Sequence, residues 1–262
     1  MTKLVPVCVC YITLFSIASV GAILGSTKEH MEDARDMLYF TTTDLKIGKK
    51  IPFYLPPSTP PLSLPKEITD SIPFSLKQLP QILDFFSIPS GSPQAHAVEL
   101  TLRECEREPL VGETKFCSTS MESMAELACS ALGSSVKFLA TTLLKKSKSP
   151  SPTNNLQNYT LLQMPNEIKV SNYFACHIMA YPYAVHYCHS RLSHTKVFQC
   201  AMEGENGDQI QILATCHMDT LGFNPNHRAF RVLKAKPGTI PLCHIFPFTH
   251  RIWIPLSTFA SA

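Results

Sequence analysis

Four times between positions 176 and 244 a cysteine stands directly before a histidine: Cys176-His177, Cys188-His189, Cys216-His217 and Cys243-His244. Successive pairs are separated by 10, 26 and 25 residues, and the single tryptophan, Trp253, follows the last pair after eight more. Imidazoles are metal ligands, and thiols either ligate or form disulfides. On an extended strand neighbouring side chains leave on opposite faces. A Cys-His pair in a strand therefore sends its sulfur one way and its imidazole the other, so one face can be cross-linked while the other coordinates. With the thiols oxidised, the ligand set is four neutral imidazoles, His177, His189, His217 and His244. Such a set suits Cu, Zn, Ni or Fe, and the affinity order favours copper. Two other readings stay open. One is a structural zinc site of mixed Cys and His ligands, against which the wide spacing argues, because zinc motifs group ligands as close pairs. The other is a set of buried histidines hydrogen-bonded to backbone. His186, His227 and His250, and also His194, lie near the pairs as secondary ligand candidates, and Asp219 follows His217 closely enough to orient it.

The rest of the composition narrows the class. Of 262 residues 45% are hydrophobic and only 16% charged, which fits a globular chain rather than a disordered one. A net charge of +3, with Lys145, Lys146 and Lys148 in a Ser/Pro-rich stretch lacking aromatic residues, gives no nucleic-acid surface. No Gly-rich phosphate loop, nucleophile elbow, paired-carboxylate signature or His-Glu-x-x-His helix is present.

The N-terminus reads as a secretory signal, Lys3 followed by an uncharged run rich in Val, Leu, Ile and Cys, with cleavage expected near Ala22. Residues 1–22 are thus a signal peptide and residues 23–37 a flexible arm. No other segment is apolar enough to span a membrane, so no stable span is expected after cleavage. In the secretory pathway the remaining eight cysteines, Cys105, Cys117, Cys129, Cys176, Cys188, Cys200, Cys216 and Cys243, are expected to pair, though eight allow 105 connectivities. A local Cys105–Cys117 bridge is the first guess. Asn158-Tyr159-Thr160 is an N-glycosylation acceptor triplet at Asn158.

Elements able to position the pairs follow from local signals. Proline-rich sequence from Leu38 to Pro65 predicts extended chain. Ser92-Pro93 predicts a helix start, with Val98, Leu102 and Cys105 on one face. Thr119 and Glu122 predict a second helix by their capping-box spacing, with Met121, Met124, Ala125, Ala128 and Leu132 as its apolar stripe and Gly133 as its end. Between them the charged Cys105–Cys117 interval reads as a loop. Val197–Met202 and Gln209–Thr215 flank an Asn-Gly turn and predict a hairpin. Further strands are expected at Tyr181–Tyr187, Phe230–Lys234 and Arg251–Pro255. The fold class is α+β, with N-terminal helices packed on a predominantly antiparallel, disulfide-stabilised sheet in the C-terminal half.

The spacing Cys-His-x10-Cys-His-x26-Cys-His-x25-Cys-His-x8-Trp resembles the BURP-domain signature of plants. The resemblance extends to Asp44-Leu45-Lys46, Gly48-Lys49-Lys50, Pro73-Phe74-Ser75, Tyr181-Pro182-Tyr183-Ala184-Val185, Asn224-Pro225-Asn226-His227 and Lys236-Pro237-Gly238-Thr239. It implies a BURP domain over residues 38–262 and a protein of the apoplast or vacuole. That family includes copper-dependent burpitide cyclases, which oxidatively join a Tyr or Trp side chain to another residue of a ribosomal peptide with dioxygen as oxidant. Ser26 to Met37 contains no Trp or Tyr to be cross-linked. The resemblance therefore implies a stand-alone enzyme acting on a separate precursor peptide, with His177, His189, His217 and His244 holding copper. The alternative it leaves is a non-catalytic secreted cell-wall or seed protein in which the same motifs stabilise the fold.

Overall fold

The computed structural model describes residues 39–54, 61–109, 111–133, 135–147, 156–170, 172–191 and 195–256. The expected signal peptide and arm, most of the proline-rich segment's tip and His194 lie outside these residues.

Two antiparallel sheets organise the described chain. In the larger, the path of hydrogen-bonded neighbours runs β1 (Tyr39–Phe40), β12 (Leu242–Phe246), β11 (Gln209–His217), β10 (Thr195–Gly204), β6 (Leu156–Leu161), β2 (Lys50–Tyr54). Two short strands join off this path, β5 (Thr142–Lys145) on β11 and β7 (Asn166–Ile168) on β10. The smaller sheet runs β3 (Glu113–Ser118), β9 (His186–Arg191), β8 (Phe174–Ile178), β13 (Arg251–Pro255), β4 (Val136–Leu139). Alternation explains how each strand serves two cores. Ile210, Ile212, Ala214 and Cys216 of β11 point into one cluster, whereas Leu213 joins Phe246, Ile252 and Ile254 in another. The first cluster also takes Phe40 from one end of the large sheet and Ile51 and Phe53 from the other, so that sheet curls around its own core. The second cluster combines residues of both sheets and is the seam where they pack face to face.

Helices cover the remaining faces. Besides the short α1 (Lys66–Thr69), these are α2 (Leu79–Phe85), α3 (Pro93–Glu106), α4 (Met121–Leu132) and α5 (Arg228–Val232). Helix α3 starts where expected, with the Ser92 hydroxyl accepting from Ala95 N at 3.0 Å. Helix α4 begins one residue later than its sequence signal, because Ser120 and Ser123 form the capping box rather than Thr119 and Glu122. Its Met124, Ala125 and Ala128 pack on Phe174 and Trp253 across the outer face of the small sheet.

The α+β class and antiparallel dominance hold, but the layout differs from N-terminal helices on a C-terminal sheet. Strands β1 and β2 come from the start of the domain, and α5 comes from its last third. Phe230–Lys234, expected as strand, lies in and just beyond α5, where His227 Nδ1 accepts from Ala229 N at 3.3 Å and caps the turn. Tyr181–Tyr187 is mostly a bent connection, with β9 starting only at His186. Part of the charged Cys105–Cys117 interval forms β3. No helix of the described residues is long and apolar enough to cross a membrane.

Candidate metal centre

All four Cys-His pairs lie on strands: Cys176-His177 on β8, Cys188-His189 on β9, Cys216-His217 on β11, Cys243-His244 on β12. Cys176 is directly opposite Cys188, and Cys216 opposite Cys243, in adjacent antiparallel strands. Both couples are disulfides, and all four sulfur-bearing residues are fully buried. The Cys105–Cys117 bridge is present as expected, and Cys129 is also disulfide-bonded. Full pairing fails at Cys200, which is a free thiol buried in the core of the large sheet and pushed up to about 12 by desolvation. It packs as a small hydrophobe.

Because the cysteines face the two outer cores, the histidines face the seam. One pair of imidazoles comes from each sheet. His177 and His189 lie 5.3 Å apart between ring centroids, and His217 and His244 stack at 5.6 Å. The pairs meet where His177 approaches His244 at 6.2 Å, with Phe246 packed 5.2 Å from each. His250, in the turn linking β12 to β13, completes the group by setting its Nδ1 3.0 Å from Nδ1 of His177. On the other side of that ring, Nε2 of His177 is 3.3 Å from Nε2 of His189.

The secondary candidates divide. His250 enters the cluster. His186 shares the face of Cys188, two residues on, and its Nε2 contacts the Thr249 carbonyl at 3.2 Å. His227 stands behind Phe223 as the helix cap described above. Asp219 does not orient His217. Its carboxylate accepts from Leu221 N at 2.9 Å, while the hydroxyl of Thr195 lies 3.4 Å from His217 Nδ1. Asn158 lies on β6 with its amide donating to Glu205 at 2.9 Å.

Burial is the first cause of the low basicity of these rings, and their mutual repulsion adds to it. His177 is held well below its ordinary value by desolvation, then by His250, His189, His244 and His217. His244 falls to about 4 and His250 to about 3, again through desolvation first. At neutral pH these three rings are therefore uncharged, the form that ligates metals. Two nitrogens on one tetrahedral ion, each at 2.0–2.1 Å, stand roughly 3.3 Å apart, which is the His177–His189 spacing. Thr215 adds a further sign. It lies opposite His244 in register, on the same face, buried, and its hydroxyl has no hydrogen-bond partner among the described residues. Such a group costs about 1–3 kcal/mol unless something polar enters beside it. The donor set thus fits a soft-to-borderline transition metal, although among the described residues no three His, Cys, Asp or Glu side chains already surround one point.

A cavity of about 530 Å³ opens next to His217, lined by Glu167, Thr195, Lys196, Met218 and Asp219. Lys196 and Glu167 form an ion pair of 3.0 Å along its wall. Two contributors were not visible in the sequence. Thr195 and Glu113 carry no motif, and only their pairing opposite His217 and near His189 reveals them.

Residues 38–255 match the BURP domain. The chain is 39% identical over 233 residues to the BURP domain-containing protein BNM2C of Brassica napus, covering 85% of this chain and 81% of that one. It is 38% identical over 229 residues to the BURP domain protein USPL1 of Arabidopsis thaliana, with 85% and 81% covered. It is likewise 38% identical over 219 residues to Protein RAFTIN 1B of Triticum aestivum, covering 82% of this chain and 59% of that relative.

Proposed function

The chain belongs to the BURP-domain family, and from that premise we propose that it is a secreted, copper-dependent peptide cyclase acting on a separate ribosomal precursor peptide. It joins an aromatic side chain, Tyr or Trp, to another residue of that peptide and so closes a side-chain macrocycle. The observation that supports this most is the convergence of His177, His189, His217, His244 and His250 at the seam of the two sheets, with the sulfurs of Cys176, Cys188, Cys216 and Cys243 turned away. Copper, when held by these imidazoles, supplies the one-electron redox steps for which the side chains alone have no equivalent. Zinc in the same site is redox-inert.

The rest of the task falls to the protein. Each closure removes one hydrogen from the aromatic side chain and one from its partner, and the two electrons and two protons pass to dioxygen, which leaves as hydrogen peroxide. The cavity beside His217 offers the peptide an apolar contact at Met218, with Lys196, Glu167 and Asp219 around it to meet polar backbone or charged neighbours. Thr195 lines that cavity and its hydroxyl also lies 3.4 Å from Nδ1 of His217, which links the cavity to the cluster. Phe246 packs on His177 and His244, and Phe223 on His217, which shields those ring faces from water.

The test is direct. Disulfide-intact protein, loaded with copper and incubated in air with Tyr- or Trp-containing precursor peptides, should yield a product lighter by about 2 Da per ring, the mass of the hydrogens removed. Replacing His217 or His244 by Asn should abolish that product. Copper binding without product from any such peptide would leave the non-catalytic cell-wall reading, and product formation undiminished by chelation would reject the metal.

A further inference from the structure

Beside His189 lies a carboxylate that the proposed chemistry has not used. Glu113 on β3 has a side chain only 3% exposed. It is held from one side by Arg107, whose Nη1 and Nη2 donate to its two oxygens at 2.9 and 3.0 Å. The Tyr187 hydroxyl donates to Oε1 at 2.7 Å, and that hydroxyl in turn accepts from Arg107 at 2.5 Å. A guanidinium fork and a phenol thus lock a buried carboxylate in one orientation. Oε1 also stands 3.7 Å from Nδ1 of His189, whose ring stacks on that of Tyr187 at 5.2 Å.

We propose that Glu113 is a positioning residue of the histidine cluster, which keeps the proton of His189 on Nδ1 and so presents a bare Nε2 to the seam. A buried anion favours a proton pointing towards it, and a neutral imidazole carries only one. The consequence reaches beyond His189. With its Nε2 bare, the 3.3 Å contact to His177 can be a hydrogen bond only if Nε2 of His177 donates. Nδ1 of His177 is then bare, and the 3.0 Å contact to His250 requires Nδ1 of His250 to donate. In the metal-free protein one carboxylate thereby fixes the direction of a chain of three imidazoles. Neither Glu167 nor Asp219 is placed to do this, since they line the cavity at the His217 side.

Delivery of Arg107 to Glu113 depends on the end of α3. The Cys105–Cys117 bridge ties that end to β3, and Lys115 donates to the carbonyls of Glu104 and Cys105 at 2.8 and 3.0 Å. Arg107 follows at once and also pairs with Glu104 at 2.6 Å.

The proposal is tested on metal-free protein with nitrogen-15-labelled histidine, at about pH 8 where ordinary imidazoles are neutral. Long-range proton–nitrogen correlations should show His189 protonated at Nδ1 in the unaltered chain. In Glu113→Gln the Nε2-protonated form should rise to a comparable share, whereas Tyr187→Phe, which keeps ring and carboxylate, should retain the original tautomer. Copper affinity should fall about 10- to 100-fold in Glu113→Gln. Protonation at Nε2 in the unaltered chain overturns the proposal, even if no variant folds, and so does an unchanged tautomer in Glu113→Gln. Only the affinity measurement rests on the proposed function. An unaltered chain with the expected tautomer but no copper binding would sink the cyclase reading and leave this one standing.

Discussion

Imidazoles crowded into a seam between two sheets resist protonation, and the fold inherits that resistance as a dependence on pH. His244 and His250 titrate near 4 and 3 when folded, against about 6.5 in the unfolded chain. Between those limits the unfolded chain binds more protons, so stability rises with pH. The contribution is complete above about pH 6.5 and is lost as pH falls towards the folded values. Metal-free protein should accordingly melt at a constant temperature from about pH 7 upward and lose melting temperature steadily between about pH 6.5 and 4. Copper should oppose that loss, because it competes with protons for the same nitrogens. Thermal scans of the unaltered chain and of His244→Asn check this, and equal acid sensitivity in both would count against it. The four histidines of the Cys-His pairs were legible in the sequence because each was flagged by its cysteine neighbour. His250 stood only as a secondary candidate, since it reaches the cluster from a turn. Glu113 gave no signal at all, because a lone glutamate in a charged stretch looks like any solvated one until β3 is seen to bury it.

The strand is the element that makes the adjacent pair useful, since its alternation separates disulfide from imidazole without any further device. That much followed from the sequence, as did the hairpin of β10 and β11 around Asn206-Gly207 and the span of β13. What misled was composition without periodicity. Phe230 and Val232 suit a strand, yet the segment has only six residues between a His227 cap and the turn at Lys234, and it forms a helical turn. The Cys105–Cys117 interval looked like a loop because its charges hide the alternation of β3. Its disulfide, closing a separation of 12 residues, should contribute about 3 kcal/mol through the unfolded chain. Denaturant unfolding of a Cys105→Ser, Cys117→Ser double variant measures that loss. The same variant should loosen Arg107 and with it the tautomer of His189, whereas a bridge that served stability alone would leave the tautomer untouched.

At the scale of the whole molecule, neither sheet owns the histidine cluster. The large sheet supplies His217 and His244, the small one His177 and His189, and the turn that carries the chain from β12 into β13 supplies His250. The sequence spaced these pairs along one chain but could not show that 26 residues between the second and third pair mark a change of sheet. Packing across the seam must therefore hold the imidazoles in register, and Phe246 is the residue at its centre. It is fully buried, belongs to the inter-sheet core with Leu213, Ile252 and Ile254, and touches the rings of His177, His244 and His250. The hydroxyl of Thr141 donates to its carbonyl and accepts from Leu213 N at 3.0 Å, tying the β4–β5 link to the same spot. Phe246→Ala should cost about 3–5 kcal/mol by leaving a cavity in the seam. Phe246→Leu should cost much less and refill most of the space. If the seam positions the metal site, copper affinity should fall in the alanine variant and recover in the leucine variant, both measured at a temperature where each remains folded. Unchanged affinity in folded Phe246→Ala would mean that each sheet binds metal with its own pair of histidines.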